Sequence, residues 1–138
     1  MKTAIRYFSK SKKGNTKKLA QHIEDRMNLP ALDISNPLEE EVDILLLVNA
    51  MYAANIDNKV KEFLIDNKDK IKMVVNINSS ASGSSTYKKV KEVCDKNGIS
   101  LSEKEYHTKA PFLFLNRKRP NEEDIKRLDL FLFDVFSK

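Results

Sequence analysis

Short apolar runs alternate along the chain with longer stretches in which apolar residues recur at every third or fourth position. Runs of the first kind are typical of β-strands, and the second spacing is typical of amphipathic helices. The clearest run, Asp43–Val48, has the continuous apolar character of a strand buried on both faces. Regular alternation of strands with helices predicts an α/β fold with a mostly parallel sheet.

Five strands are predicted from the apolar runs. Right-handed crossovers join them into an open, doubly wound sheet with helices on both faces, which is a three-layer architecture. The expected strands are Ala4–Phe8, Ala31–Ile34, Asp43–Val48, Ile71–Ile77 and Ile99–Tyr106, the last with an extension into 112–115.

Four helices are predicted from apolar residues at helical spacing. Pro30 follows the end of the first helix, Gly98 ends the third, and Asn121 begins the fourth as a capping residue followed by acids. The expected core positions are Leu19, Ile23 and Met27 in the first helix, Val60, Phe63 and Leu64 in the second, Tyr87, Val90, Val93 and Cys94 in the third, and Ile125, Leu128, Leu132, Val135 and Phe136 in the fourth.

The segment after the first strand has the chemistry of an anion site. Ser9 and Ser11 offer hydroxyls, and Gly14, Asn15 and Thr16 begin a helix, whose start carries a partial positive charge. A strand-to-helix turn with a solvated run of lysines is the alternative interpretation. The lysines of this segment are Lys10, Lys12, Lys13, Lys17 and Lys18.

The composition is that of a folded globular chain. Its 138 residues are 41% hydrophobic, with only 3 Gly and 4 Pro, which predicts one domain spanning residues 1–138. No apolar run is long enough to cross a membrane, and no signal peptide is recognisable. The single cysteine, Cys94, excludes an internal disulfide and is typical of a reducing compartment, so we expect a cytoplasmic protein.

The net charge of +5 at pH 7 indicates an anionic partner or nucleic acid as possible ligands. Lysines and glutamates are scattered along the predicted helices, however, and no aromatic residues interleave with a basic run as they do in nucleic-acid platforms. The positive excess lies mainly in the first loop. Nucleic-acid binding is therefore not predicted.

The first loop resembles the phosphate loop of the flavodoxins, whose usual pattern is Ser/Thr-x-Thr-Gly-x-Thr. It is neither a P-loop nor a dinucleotide fingerprint, because Gly14 stands alone and no Gly-Lys-Ser/Thr ending follows. In the flavodoxins this loop wraps the terminal phosphate of FMN with hydroxyls and backbone amides. If Ser11 matches the first Ser of the pattern, Lys13 replaces the middle Thr; if Ser9 does, the loop is about two residues longer.

Two further segments carry the same resemblance. The apolar strand that leads into Asn49–Tyr52 looks like the third strand and flavin loop of the family, where an aromatic residue covers one face of the flavin. Gly83–Tyr87 is similar to the Gly-Asp-x-x-Tyr segment whose Tyr stacks on the other face, with Ser84 where the acid often stands. The alternatives are that Tyr52 rests on the surface and that Tyr87 is an ordinary core residue.

The resemblance implies the strand order 2-1-3-4-5 and an FMN site at the carboxyl ends of the strands, where ligands of doubly wound sheets bind. Backbone amides of residues 78–83 are expected at the polar edge of the flavin. The predicted cofactor-binding residues are Ser9, Lys10, Ser11, Lys13, Gly14, Asn15, Thr16, Asn49, Ala50, Met51, Tyr52, Asn78, Ser79, Ser80, Gly83 and Tyr87.

The resemblance favours a monomeric, FMN-dependent electron carrier that docks on redox partners with acidic surfaces. A basic chain is expected to stabilise the reduced, anionic flavin more than the acidic members of the family do. The serious alternative is a flavodoxin-like module without flavin that acts as a binding protein, and a small FMN-dependent NAD(P)H or quinone reductase is a further one. A response-regulator receiver is excluded because it needs acids where Ser9, Lys10 and Asn49 stand.

No catalytic or metal-binding set is predicted. His22 and His107 have no sequence neighbours that suggest a metal site, and Cys94 lies on an apolar helix face, as a buried hydrophobic residue does. Arg6 stands in the middle of the first strand. A buried Arg needs a partner, so either Asp33 or Asp43 pairs with it or the strand is exposed there.

Overall fold

The computed structural model describes residues 1–10, 14–111 and 118–137. Ser11 and Lys13 of the predicted FMN site, and the predicted strand extension into 112–115, lie outside the described residues. The helices and strands are β1 (Thr3–Tyr7), α1 (Asn15–Met27), β2 (Ala31–Asp33), β3 (Val42–Ala50), α2 (Asn58–Asp66), β4 (Ile71–Ser80), α3 (Tyr87–Lys96), β5 (Ser100–Leu101), β6 (Tyr106–Lys109) and α4 (Glu122–Phe136).

The strands form one parallel sheet in the order β2-β1-β3-β4-β5, which confirms the predicted topology, and β6 also pairs with β4. The prediction of a single fifth strand was wrong. β5 pairs with Met73 and Val74, whereas β6 pairs with β4 from Ile77 onward. The Ser102 hydroxyl accepts a hydrogen bond from the Lys104 amide, and this local turn interrupts the strand.

Two strands run further than their apolar residues indicate. β3 continues through Ala50 and β4 through Ser80, because Asn49 pairs with Asn78 and Ala50 with Ser79 in the same parallel ladder. Asn78, Ser79 and Ser80 follow the end of the predicted strand at Ile77, and in the structure they belong to the strand and are buried. The first polar residue after an apolar run did not mark the strand's end.

Helices cover both faces of the sheet and enclose two hydrophobic clusters. Leu45, Leu47 and Val74 pack with α2 and α3 on one face. Ile5 and Leu46 pack with α1 and α4 on the other face. Within the described residues, no helix is long and apolar enough to span a bilayer.

The connection from β2 to β3 crosses β1 without a helix in the described structure, and Arg6 fastens it. The Arg6 side chain donates to the Asn36 carbonyl at 2.9 Å and to the Pro37 carbonyl at 3.2 Å. Both predictions for Arg6 were wrong, because it is only 7% exposed and pairs with backbone carbonyls rather than with Asp33 or Asp43. Burial lowers the pKa of the guanidinium. Backbone oxygens satisfy it because the connecting loop, rather than a helix, lies over this strand.

Candidate functional site

The carboxyl ends of β1, β3, β4 and β6 form one edge of the sheet, which we call the carboxyl edge. The structure brings the described segments that follow β1 and β3 into contact with each other and with the end of β4. The Thr16 and Ser79 hydroxyls lie 3.2 Å apart, the Met51 amide donates to the Ser79 carbonyl at 3.2 Å, and the Lys10 amide donates to the Tyr52 hydroxyl at 3.2 Å. The candidate site is therefore a continuous surface rather than a set of separate loops.

The lysine-rich loop (residues 9–14) leads into the start of α1. Gly14 is the N-cap residue, in an extended conformation with φ −65° and ψ 153°, and the first turn of the helix contains no acidic residue. Such a helix start favours an anion. Thr16 is 3% exposed and holds this start against β4 through Ser79. Among the described residues, the Thr16 hydroxyl, the start of α1 and Lys10 are groups of the kind that bind a phosphate.

Tyr52 connects the third strand to the lysine-rich loop. The Lys10 ammonium lies 4.3 Å from the centroid of the Tyr52 ring and 3.7 Å from the Asp57 carboxylate. The ring also packs against the core cluster on the α2 face. Tyr52 is thus half-buried between Lys10 and the hydrophobic core. It does not merely rest on the surface.

The Tyr52 turn (residues 52–55) holds this tyrosine by two backbone hydrogen bonds between Tyr52 and Asn55, of 2.7 and 3.0 Å. Its central residues, Ala53 and Ala54, have positive φ angles of 51° and 60°. Left-handed backbone costs roughly 1 kcal/mol for each residue that has a Cβ. Such strain is found at functional sites, where a loop is held in an unusual shape by its surroundings.

The Ser-rich loop (residues 81–86) follows β4 and is held by its own hydrogen bonds. The Asn78 side-chain amide and the Ser80 hydroxyl both donate to the Ser84 backbone carbonyl, at 3.0 and 2.9 Å. The Gly83 backbone amide donates to the Ser80 backbone carbonyl at 3.3 Å. Gly83 adopts a φ of 81°, a conformation that favours glycine. The loop is therefore preorganised at the carboxyl edge.

A buried network anchors the Ser-rich loop to the sheet. All three of its hydrogen bonds join side chains. The Asn49 side-chain amide donates to the Asn76 side-chain oxygen at 2.7 Å, and the Asn76 side-chain amide donates to the Thr86 hydroxyl at 3.0 Å. The Thr86 hydroxyl in turn donates to the Asn49 side-chain oxygen at 2.7 Å. All three residues are 0% exposed. The Asn49 side chain thus supports the site from below instead of facing outward. Asn76 and Thr86 were not among the predicted site residues, and a polar residue inside an apolar strand was the available signal for Asn76.

Tyr87 is the first residue of α3, and its amide hydrogen-bonds the Ser85 hydroxyl at 3.0 Å. It is half-buried and belongs to neither hydrophobic cluster of the described residues, in contrast to Val90 and Cys94 on the same helix. Among the described residues, Tyr87 is therefore not a member of the hydrophobic core. Its position at the end of the Ser-rich loop is compatible with contact to a ligand at the carboxyl edge.

The other predicted site residues differ in accessibility. Asn78, Ser79 and Ser80 are buried, so their side chains support the loop more than they line a surface. Ala50 is 9% exposed and Met51 is half-buried. The accessible or half-exposed members are Ser9, Lys10, Gly14, Asn15, Met51, Tyr52, Gly83 and Tyr87.

The histidines do not form a metal centre within the described residues. His22 pairs with Asp129 at 2.7 Å, which joins α1 to α4, and His107 of β6 pairs at 2.9 Å with Glu105, which precedes the strand. Cys94 is fully buried, and burial raises the pKa of its thiol to about 11. It is the buried hydrophobic residue that its position on the helix predicts.

Comparison with known proteins identifies the fold. No protein-family model matches the chain, and no curated protein matches it. Among solved structures, a flavodoxin from the domain Archaea superposes with a TM-score of 0.73 at 15% identity, covering 98% of this chain and 96% of that one. Oxidised flavodoxin 2 from Bacillus cereus superposes with a TM-score of 0.67 at 16% identity, covering 99% of this chain and 100% of that one. The Trp repressor binding protein from Bacillus subtilis gives 0.63 at 15% identity, covering 95% and 97%. The chain therefore has the flavodoxin-like fold, and these identities establish the fold alone.

Proposed function

We propose that this protein binds FMN non-covalently at the carboxyl edge and carries electrons between redox partners. The observation that carries the proposal is the start of α1, which has no acid in its first turn and adjoins a hydroxyl pair and lysines at the ligand-binding edge of a flavodoxin-like sheet. FMN supplies the redox chemistry when it is bound. The chain supplies the phosphate site, the preorganised loop and the electrostatic field.

The proposed phosphate site uses the lysine-rich loop together with Asn15 and Thr16. Backbone amides at the helix start and the Thr16 hydroxyl are the donors that a phosphate dianion requires. Tyr52 and Tyr87 are proposed to contact the flavin ring from the loops that follow β3 and β4. Because Tyr52 is packed against Lys10, we expect FMN binding to change the environment of both residues.

The described cations of the carboxyl edge favour an acidic partner. Lys10, Lys17 and Lys109 are charged side chains around this edge, and Lys59 lies 5.8 Å from the Phe8 ring beside it. Such a field steers an acidic protein surface towards the site and makes association dependent on salt. We therefore propose redox partners whose docking surfaces are acidic.

The first experiment is to titrate the purified apoprotein with FMN while recording the visible spectrum and the flavin fluorescence. Quenched fluorescence with saturable binding at micromolar concentration is expected, because aromatic residues that contact a flavin quench its emission. Riboflavin, which lacks the phosphate, is expected to bind at least about tenfold more weakly, since charge-assisted hydrogen bonds to phosphate are lost.

The matched variants are Asn15→Ala/Thr16→Ala at the start of α1 and Asn58→Ala at the start of α2. The first is expected to weaken FMN binding by more than about tenfold, whereas the second leaves it unchanged. A thermal melt checks that the first variant is folded, since Thr16 also contacts Ser79. Unquenched FMN in the presence of the folded wild-type protein would refute the carrier function and leave the flavin-free binding module.

A further inference from the structure

Lys109, at the end of β6, lies on the Ser-rich loop. If residue 83 carried a Cβ, that atom would stand 3.1 Å from the Lys109 Cγ and 3.2 Å from its Cε. The lysine stem thus crosses the backbone of Gly83. β6 fixes the register of this contact, because Lys109 pairs with Ser80 and the Ala110 amide donates to the Ser80 carbonyl at 2.9 Å.

The charge of Lys109 has no carboxylate partner among the described residues. Glu105, which immediately precedes β6, is paired instead with His107. Lys10 differs, because its ammonium is shared with Asp57 and the Tyr52 ring. Lys109 therefore brings an uncompensated positive charge to the loop that the sequence analysis assigns to the polar edge of the flavin.

We propose that Lys109 tunes the reduction potential of the bound flavin by stabilising its fully reduced, anionic form. The inference rests on the proposed function. Two electrons and one proton convert neutral oxidised flavin to a ring that carries one negative charge, so a nearby cation binds the reduced form more tightly than the oxidised form. A single cation about 10 Å from the ring, near a protein surface, accounts for about tenfold in relative affinity.

Gly83 makes this contact possible. A side chain at position 83 requires Lys109 to move, and the φ of 81° disfavours any residue with a Cβ. The glycine therefore has two effects, since it permits the turn and leaves space for the lysine stem. Gly83 was predicted as a site residue from the sequence, whereas Lys109 was not, because Lys109 comes from a short, polar strand 26 positions away.

The test uses the full chain loaded with FMN. The affinity for oxidised FMN is measured by fluorescence quenching, and the midpoint potential by a spectroscopic titration with dithionite and mediator dyes. The variants are Lys109→Gln, Lys109→Glu and Lys109→Arg. Lys68→Gln removes an exposed lysine at the amino end of β4 and is the matched control.

We expect Lys109→Gln to weaken binding of the reduced flavin about tenfold relative to the oxidised flavin. For a two-electron couple this ratio corresponds to a midpoint about 30 mV lower. Lys109→Glu should lower it further, whereas Lys109→Arg and Lys68→Gln should match the wild type. High salt should reduce the difference in midpoint potential between the wild type and Lys109→Gln, because it screens the charge of Lys109.

Two other outcomes separate the two proposals. If wild type and Lys109→Gln both bind FMN and have the same midpoint potential, the role of Lys109 is refuted and the electron carrier remains. If the folded wild-type chain binds no FMN, the proposed function is refuted, and the role of Lys109 falls with it.

Discussion

Helices α3 and α4 both begin at buried polar clusters, and the two clusters are built from different chemistry. The start of α3 rests on the neutral network of Asn49, Asn76 and Thr86. The start of α4 rests on the Asp124 carboxylate, which binds Arg119 and Arg127. The neutral cluster lies below the Ser-rich loop of the proposed flavin site. It fixes that loop without adding a charge that would compete with the field of the site.

The ionic cluster is also a helix cap. Asn121 accepts a hydrogen bond from the Asp124 amide at 3.0 Å, and the Asp124 carboxylate accepts one from the Asn121 amide at 2.8 Å. Burial alone raises the pKa of Asp124, but hydrogen bonds from Arg119, the Asn121 amide and Arg127 outweigh it and lower the pKa to about 2. The cluster therefore depends on pH, whereas the neutral network does not.

The largest effect is expected from breaking the ionic cluster with Asp124→Ala. The substitution removes a fully buried carboxylate and half of the capping box, while the partly exposed arginines recover some hydration. We expect the free energy of unfolding to fall by about 3 kcal/mol in urea denaturation. Glu123→Ala, which removes an exposed acid in the same turn, is the control. If Asp124→Ala lowers the free energy of unfolding no more than Glu123→Ala does, the cluster contributes little to stability.

Breaking the neutral network with Asn49→Ala should cost about 2 kcal/mol, because it leaves the Asn76 carbonyl and the Thr86 hydroxyl without their buried partner. Asn58→Ala, at an exposed position, should change stability by less than about 0.5 kcal/mol. Combining Asn49→Ala with Thr86→Val should cost less than the sum of the two single changes. Simple additivity would argue against a network.

Acid should distinguish the two clusters directly. A carboxylate whose pKa is lowered from 3.8 to about 2 stabilises the folded state above pH 4, and this contribution is lost as the pH falls towards 2. The stability gap between wild type and Asp124→Ala should therefore narrow between pH 5 and pH 2. The gap for Asn49→Ala should stay constant, and parallel narrowing of both gaps in urea denaturation would contradict the assignment.

Thr108 is a buried polar residue that belongs to neither cluster. Its hydroxyl is buried and has no hydrogen-bond partner of normal geometry among the described residues. Burial raises the pKa of the neighbouring Tyr106 phenol, and the Thr108 hydroxyl lies close enough to oppose part of that rise. Thr108→Val should raise the free energy of unfolding by up to about 1 kcal/mol, and Thr108→Ser should lower it. A destabilised Thr108→Val variant in thermal denaturation would reveal a partner for the hydroxyl.

The sequence predicted the helices and the strand order because both follow from apolar spacing and from a resemblance in the order of the loops. The capping role of Asn121 was predictable too, since a capping residue acts on its immediate neighbours. Where strands end was not predictable in the same way. Asn49 and Asn78 continue β3 and β4 because each pairs with the other, and pairing across strands leaves no local signal.

The candidate site was predicted as loops but not as a supporting structure. Thr86 and Asn76 belong to it only through contacts with Asn49 on another strand. The partner of Arg6 was also not predictable from the sequence, because a carboxylate is the usual expectation for a buried cation. Its actual partners are carbonyls of Asn36 and Pro37, which a sequence does not single out because every residue has one.

The burial of Cys94 has a practical consequence for labelling. A thiol whose pKa is raised to about 11 and that has no exposed surface reacts slowly with maleimides and spin labels. Because the chain contains 1 cysteine, a second one introduced at an exposed position reacts alone, without first removing the native thiol. Exposed Ala53 in the Tyr52 turn and exposed Ser82 in the Ser-rich loop are two such attachment points. The native chain is thus a ready scaffold for distance measurements between these two loops.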